Sequence, residues 1–317
     1  MQIIRTDFSA YFPSDFEQRE KSLFENEGLG SYMKAEDFLE KNLLDQSDEL
    51  IVISNTQTDF NKWPKQMWDK TKLLIHPNSG YDNFSAQWVE SVGFPIVVGH
   101  EIRAQAVAEY CLSTFLQRVA QVPQQNKWSK ERQFPRDLIQ GQNVLIVGLG
   151  HIGGRIKNWL ESLGARVQVF DPYKGHFQLD LAQSKTVILA CGLNPSSQHL
   201  IDKAFIQELP KAFTLINAAR GGLIKTNDLV QALKNDPESC AYLDVFEKEP
   251  ADLEELTKTT NLFATSHIAG VYTGLNERML EFEKQVIKHF LSLDLPSFQR
   301  HYNDQLLASR LHKGFLI

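Results

Sequence analysis

Runs of consecutive apolar residues, rather than alternating ones, mark the strands of this chain. In the first hundred residues, 50–54 (LIVIS), 73–76 (LLIH) and 94–99 (FPIVVG) read as strands, each closed by turn chemistry. Continuous apolar runs are what parallel strands covered on both faces require. Helical segments fit between them, as in a small α/β layer. Over 103–122, Val107, Ala108, Cys111, Leu112, Phe115, Leu116 and Val119 recur at helical spacing. That stripe is wide enough for burial on more than one side. The stretch 123–143 is polar and proline-containing and reads as an excursion before a new unit.

From 144 the pattern becomes a strand–helix alternation. Strands are predicted at 144–148, 166–171, 186–191, 213–217, 240–246 and 261–266. Helices are predicted at 151–164, 202–209 and 226–235, the last with Thr226 or Asn227 as N-cap. A final helix over 276–293 carries Met279, Phe282, Val286, Phe290 and Leu293 on one face and is placed to return the chain to the first domain. No internal repeat interrupts this order.

Composition narrows the class without changing the pattern. The 317 residues suffice for about two domains, and 42% hydrophobic with 23% charged residues is ordinary for a soluble globular protein. A net charge of −6 without a long basic block argues against a nucleic-acid or anionic-membrane surface. Cys111, Cys191 and Cys240 lie far apart without a CxxC pair, so buried thiols in a reducing compartment are expected. No cluster has metal-ligand spacing. The start lacks the basic and apolar regions of a signal peptide, and no run approaches membrane length, so a cytoplasmic protein is expected.

Chemistry concentrates after 144. Gly148, Gly150 and Gly153 form GxGxxG between a strand and a helix, with Asp171 ending the next strand. Gly148 allows the tight turn, Gly150 lets backbone approach a pyrophosphate, and Gly153 lets helix pack on strand. The helix N-terminus offers free N–H groups to the phosphates. A carboxylate at Asp171 can bind ribose hydroxyls and would repel a 2′-phosphate, which favours NAD over NADP. The stretch between Asp171 and Val187 has little room for a helix and a further strand, so the adenine edge of the sheet is expected to be trimmed.

Arg220, Glu249 and His267 follow three successive predicted parallel strands. Ligands of open α/β sheets bind beyond the carboxyl ends of strands. A protonated imidazole can supply the proton that a hydride-generated alkoxide needs. A neighbouring carboxylate favours the charged imidazole, and an arginine fork can bind a substrate carboxylate and polarise its carbonyl. Small neighbours of Arg220 (Ala218, Ala219, Gly221 and Gly222) are expected to leave room for nicotinamide and substrate.

The stretches GLGHIG, NAARGGLI, LDVFEKEP and TSHIAG, in this order, resemble the signatures of the D-isomer-specific 2-hydroxyacid dehydrogenase family. The resemblance covers roughly 75–290 well and the N-terminal part more loosely. It implies two Rossmann-like α/β domains with doubly wound parallel sheets. The substrate domain would be discontinuous, 1–98 plus 286–317, around an NAD-binding domain over 99–285. It implies Arg220 as substrate binder, His267 as acid/base and Glu249 as its partner. It also implies a homodimer built largely on the NAD domain.

Beyond the glycine motif and Asp171, the resemblance implies cofactor contacts at His151, Ile152, Cys191 and Gly192. Further contacts are implied at Ala218, Ala219, Asp244 and Gly270. The segment 77–83 (PNSGYDN) resembles the family's carboxylate-binding loop, which would place Asn78, Ser79 and Gly80 at the substrate. Departures are visible. Asn78 stands where a glycine is usual, Ile53 precedes Ser54 in place of an Arg-Ser pair, and His100 and Arg103 are unusual before the long helix. The loss of the Arg-Ser pair weakens the case for a phosphorylated substrate. The chain ends at 317, and no appended regulatory domain is expected.

The reading is therefore an NAD-dependent reductase of a small 2-keto acid, or the reverse oxidation. An NAD-sensing, corepressor-like dimer of the same fold is the alternative, and a Rossmann oxidoreductase acting on an amino acid is a third possibility.

Overall fold

The computed structural model describes residues 1–9, 11–45, 49–122, 124–132, 136–259 and 261–317. The chain divides into two compact units, Met1–Arg103 with Tyr272–Ile317, and Ala104–Val271. Each is a parallel sheet covered by helices, so the expected α/β class with two doubly wound sheets is borne out.

The first unit begins β1 (Gln2–Arg5), α1 (Phe16–Asn26), β2 (Ser31–Lys34) and α2 (Ala35–Glu40). It continues with β3 (Leu50–Ile53), α3 (Lys65–Lys70), β4 (Thr71–His76), α4 (Ala86–Ser91) and β5 (Ile96–Val98), and the unit boundary falls early in α5 (His100–Val119). Its strands lie in the order β2-β1-β3-β4-β5, all parallel. Ile4, Leu50, Val52, Leu74 and Val98 face one apolar cluster; Ile3, Ile51, Ile53, Ile75 and Val97 face another. That two-sided burial is why the strands are continuous apolar runs.

The second unit runs β6 (Asn143–Val147), α6 (His151–Ser162), β7 (Arg166–Phe170), β8 (Thr186–Leu189), α7 (Lys203–Glu208) and β9 (Thr214–Asn217). It closes with α8 (Thr226–Asn235), β10 (Cys240–Leu243), α9 (Leu253–Thr257) and β11 (Leu262–Ala264). The strand order is β11-β10-β9-β8-β6-β7, again parallel, and it reverses direction between β6 and β8. Between β7 and β8 the chain forms only a short 3-10 turn, Pro172–Lys174, so β7 is an edge strand and the crossover is trimmed. Of the polar excursion, 123 and 133–135 lie outside the described residues; its other residues before β6 form no helix or strand.

Two sequence expectations need correction. The N-cap of α8 is Lys225, not Thr226 or Asn227, and no side chain of its own caps it. Instead the Thr226 N–H donates to Glu247 Oε2 at 2.8 Å, so a carboxylate from the β10 loop serves the helix start. The strand β1 carries only Ile3 and Ile4 as an apolar signal and was absent from the pattern.

The chain returns to the first unit as α10 (Leu275–Ser292) and α11 (Leu295–His301), followed by the short pair β12 (Leu311–His312) and β13 (Phe315–Leu316). On α10, Met279 and Val286 are buried as the pattern requires, and Ile287, outside the expected stripe, is buried too, whereas Leu293, the C-cap, is exposed. Glu283 is also fully buried on this helix. It meets Arg5 of β1 at 2.8 Å, and Arg5 is bidentate to Glu20 of α1. The Tyr32 hydroxyl donates to Glu20 at 2.5 Å. Two carboxyls thus share one guanidinium in a dry interior. Burial, offset in part by Arg5, holds Glu283 well above the usual carboxyl range.

Candidate active site

Glycine geometry builds the mouth of β6. Gly148 has φ +97°, and a Cβ there would lie 2.7 Å from Ala190 O and the Cys191 backbone. A Cβ on Gly153 would overlap Gly148 O at 2.0 Å. Gly150, the N-cap of α6, would meet nothing within 4 Å. One glycine makes the turn, one seats the helix, and one leaves open space over the helix N-terminus. This cradle sits where the strand order reverses, the place for a dinucleotide pyrophosphate.

Asp171 is held beside that cradle. Its Oδ2 accepts from the Leu149 N–H at 2.8 Å and its Oδ1 from the Tyr173 N–H at 3.2 Å. Each oxygen retains a lone pair for a ribose hydroxyl. Lys174 Nζ donates to Leu149 O at 2.6 Å, and Tyr173 and Ser196 join their hydroxyls at 2.7 Å across the β7 and β8 loops. The residues present therefore fit an NAD cofactor.

The other expected cofactor residues are placed as follows. His151 and Ile152 open α6, and Ile152 packs partly against the core. The backbone of Cys191 abuts Gly148, while burial pushes its thiol up to about 12. Gly192 O accepts from Ser197 Oγ at 2.8 Å. Ala218 and Ala219 are buried in the two apolar clusters of the unit. Gly270 lies in the turn closed by Val271 N–H to Ile268 O at 2.8 Å.

Arg220 is presented by a turn that Asn217 organises. Asn217 Oδ1 accepts from the Ala219 N–H at 3.0 Å, and its Nδ2 donates to Arg220 O at 2.9 Å. The glycines after Arg220 have a different physical reason from the expected one. A Cβ on Gly221 would lie 1.9 Å from the Phe246 carbonyl carbon, and one on Gly222 would lie 2.9 Å from a Leu193 methyl. Gly221 lets the β9 loop press against the β10 loop, and Gly222 lets it press against Leu193 of the β8 loop, rather than leaving space for a ligand.

That β10 loop carries Glu249. Its Oε1 accepts from the Phe246 N–H at 3.0 Å, and its Oε2 pairs with His267 Nδ1 at 2.8 Å. With Nδ1 engaged, Nε2 is the ring nitrogen left for proton exchange. The imidazole is 57% exposed.

His267 has φ +56°, a left-handed backbone that costs a non-glycine residue on the order of 1 kcal/mol. Asp244 holds it there. Its carbonyl accepts from the His267 N–H at 2.9 Å. Its buried carboxylate accepts from Thr265 Oγ1, the Ile268 N–H and the Ala269 N–H at 2.6–2.8 Å. Sequence reasoning placed Asp244 at the cofactor; its carboxylate is engaged with the histidine loop. Tyr110 of α5 donates or accepts at Thr265 Oγ1, 2.7 Å away.

In the first unit, the segment 77–83 follows β4. Arg103 donates to Pro77 O at 3.1 Å, and Asn83 Nδ2 donates to Asn55 O and Thr58 O at 3.0 Å each. Ser79 Oγ makes a long contact to His100 O at 3.4 Å.

Residues 110–269 match the profile described as D-isomer specific 2-hydroxyacid dehydrogenase, NAD binding domain. A D-3-phosphoglycerate dehydrogenase of Methanocaldococcus jannaschii is 27% identical over 254 residues, 73% of this chain and 47% of that protein. The Bacillus subtilis D-3-phosphoglycerate dehydrogenase is 27% identical over 82% of this chain and 55% of its own length. The chain therefore spans about half the length of these two relatives. A glyoxylate reductase of Pyrococcus horikoshii is 27% identical over 72% of this chain and 75% of its own length. In fold, the crystal structure of an Aquifex aeolicus D-lactate dehydrogenase, complexed with NAD and lactic acid, matches with TM-score 0.70. It is 19% identical and covers 97% of this chain and 99% of that one.

Proposed function

The chain belongs to the D-isomer specific 2-hydroxyacid dehydrogenase family, with an NAD-binding domain in its second unit; from that premise we propose that it reduces a small 2-keto acid to the D-2-hydroxy acid, or runs the reverse. The observation that carries this reading is the His267–Glu249 pair at 2.8 Å, on a loop whose left-handed backbone is held by Asp244. NADH, when bound, supplies the hydride to the keto carbon.

This chain's residues do the rest. The Glu249 carboxylate accepts from Nδ1 of His267, which leaves Nε2 to give its proton to the nascent alkoxide. In the oxidative direction the same nitrogen takes it back. The Arg220 guanidinium binds the substrate and polarises its carbonyl. The loop 77–83 receives the substrate carboxylate through backbone N–H groups at Ser79 and Gly80. A small unphosphorylated acid such as glyoxylate or hydroxypyruvate is the substrate class; the glyoxylate reductase relative supports it. We also propose a homodimer. Val122, Trp128 and Leu138 stand largely exposed along the segment before β6 and are candidates for its contacts.

The test is NADH oxidation against a panel of 2-keto acids, with NADPH in parallel. Rapid turnover of one acid that collapses in Arg220→Ala is expected. Normal turnover in Arg220→Ala would remove the site assignment. NADH binding without turnover of any acid would point instead to a cofactor-sensing protein.

A further inference from the structure

We propose that His76 is a positioning residue for substrate binding: its Nε2–H, by donating to the carbonyl of Gly80, holds the loop 77–83 in the shape that receives the substrate carboxylate. This rests on the reading of that loop given above. His76 ends β4 and is fully buried. Its Nε2 lies 2.7 Å from Gly80 O, and its Nδ1 lies 3.0 Å from Ser54 Oγ, at the end of β3.

A carbonyl can only accept, so Nε2 must carry the proton. Burial keeps the ring neutral, down to about 4. Nδ1 is then the acceptor, and the Ser54 hydroxyl donates to it. One tautomer follows, with no freedom left at either nitrogen. The ring is further fixed edge-on to Phe84, 5.0 Å between centroids.

The consequence for the loop is geometric. A peptide group is planar and trans, so its C=O and N–H point in opposite directions. Drawing Gly80 O inward to His76 turns the Tyr81 N–H, in the same peptide, outward. Arg103 does the same at the loop's start by taking Pro77 O. The two side chains thus pin the peptides at both ends of the Asn78–Gly80 stretch, Pro77–Asn78 and Gly80–Tyr81, and so restrain the short backbone between them that carries the Ser79 and Gly80 N–H groups. Neither side chain needs to touch substrate. The substitution of Ile53-Ser54 for an Arg-Ser pair is consistent with this: the serine hydroxyl is committed to the imidazole.

The test uses three substitutions in the full chain. In His76→Gln the side-chain amide nitrogen falls near the former Nε2 and can still donate to Gly80 O. In His76→Asn the amide falls near the former Nδ1, satisfying Ser54 without reaching Gly80. His76→Phe keeps the ring and loses both bonds. The KM for the best keto acid should rise roughly tenfold in the Asn and Phe proteins, the scale of one hydrogen bond. It should stay within about threefold of native in the Gln protein, and kcat and NADH affinity should change little in all three.

An equal rise in all three would assign His76 to packing and overturn the proposal, as would no rise in Asn and Phe. Gly80→Pro separates the two readings, because it removes one loop N–H. A raised KM there, with native KM in the His76 series, removes His76 alone. A folded, NADH-binding Gly80→Pro protein with native KM removes the loop's role and this proposal with it.

Discussion

The two sheets end differently at their carboxyl edges. In the second unit the strand ends are shaped by glycines and by carboxylates on backbone N–H groups, as at Gly148, Gly221, Asp171 and Asp244. That scaffold leaves the His267 imidazole and Glu249 in reach of solvent. In the first unit the strand ends are shaped by neutral side chains that bond to loop carbonyls, as buried His76 and half-buried Asn83 do. The first arrangement frees reactive groups. The second consumes polar groups to fix a backbone. Substitutions at the second unit's edge should therefore cost rate, and those in the first unit should cost stability or substrate affinity.

The largest expected effect is on rate. His267→Asn keeps a residue that tolerates the left-handed backbone and removes the proton donor. Turnover should fall roughly a hundredfold to ten-thousandfold with little change in melting temperature, measured by NADH oxidation and calorimetry. A large loss of stability in that variant would break the contrast between the two edges. Next is Arg5→Met, which strips the shared guanidinium from two buried carboxyls. It should cost about 3–5 kcal/mol in urea unfolding.

His76 should give the first unit an acid limit. Burial lowers its folded pKa to about 4, against 6.5 for the free group. Between those values the unfolded chain binds the extra proton, so stability falls as pH drops from 6.5 towards 4. Relative to His76→Gln, native protein should lose roughly 3 kcal/mol across that window. Parallel urea titrations at pH 7 and pH 4 measure it, and parallel pH dependence in the two proteins would contradict it.

Gly221→Ala should push the Arg220 loop off the Phe246 backbone, with a stability loss of about 1–3 kcal/mol and a larger fractional loss of turnover. The smallest effect is expected from Glu283→Gln. Its carboxyl is already held towards the neutral form, so an amide should be tolerated to within about 1 kcal/mol.

The same contrast explains what could be read from sequence. The second unit's cofactor cradle was legible because its glycines and acid sit at fixed local spacings, and the three site residues because each follows an apolar run. The work of Asp244 was not legible. Its partners lie 21–25 residues away on a loop whose left-handed φ has no signature in a histidine. Glycines after Arg220 were visible, but nothing in the local sequence shows that Phe246 lies behind Gly221 and Leu193 behind Gly222. In the first unit, β1 offered two isoleucines flanked by Gln2 and Arg5, and the charge that makes Arg5 a core residue comes from another part of the chain. Likewise nothing near His76 in sequence announces Ser54 as its partner.

The bond between Arg5 and Glu283 spans 278 positions of sequence. At typical synthesis rates of about 5–20 residues per second, Arg5 is added to the chain roughly a quarter of a minute to a minute before its second carboxyl exists. Once Val98 is made the first unit has all five strands of its sheet, but to the end of that interval it still lacks α11 and the last turns of α10, whose residues Val286, Ile287 and Phe298 cover one face of that sheet. The second unit, Ala104–Val271, is by then completely synthesised. The segment that starts the chain is thus the last to close, and the unit that holds the cofactor cradle can be finished while its neighbour is still waiting for its lid of helices.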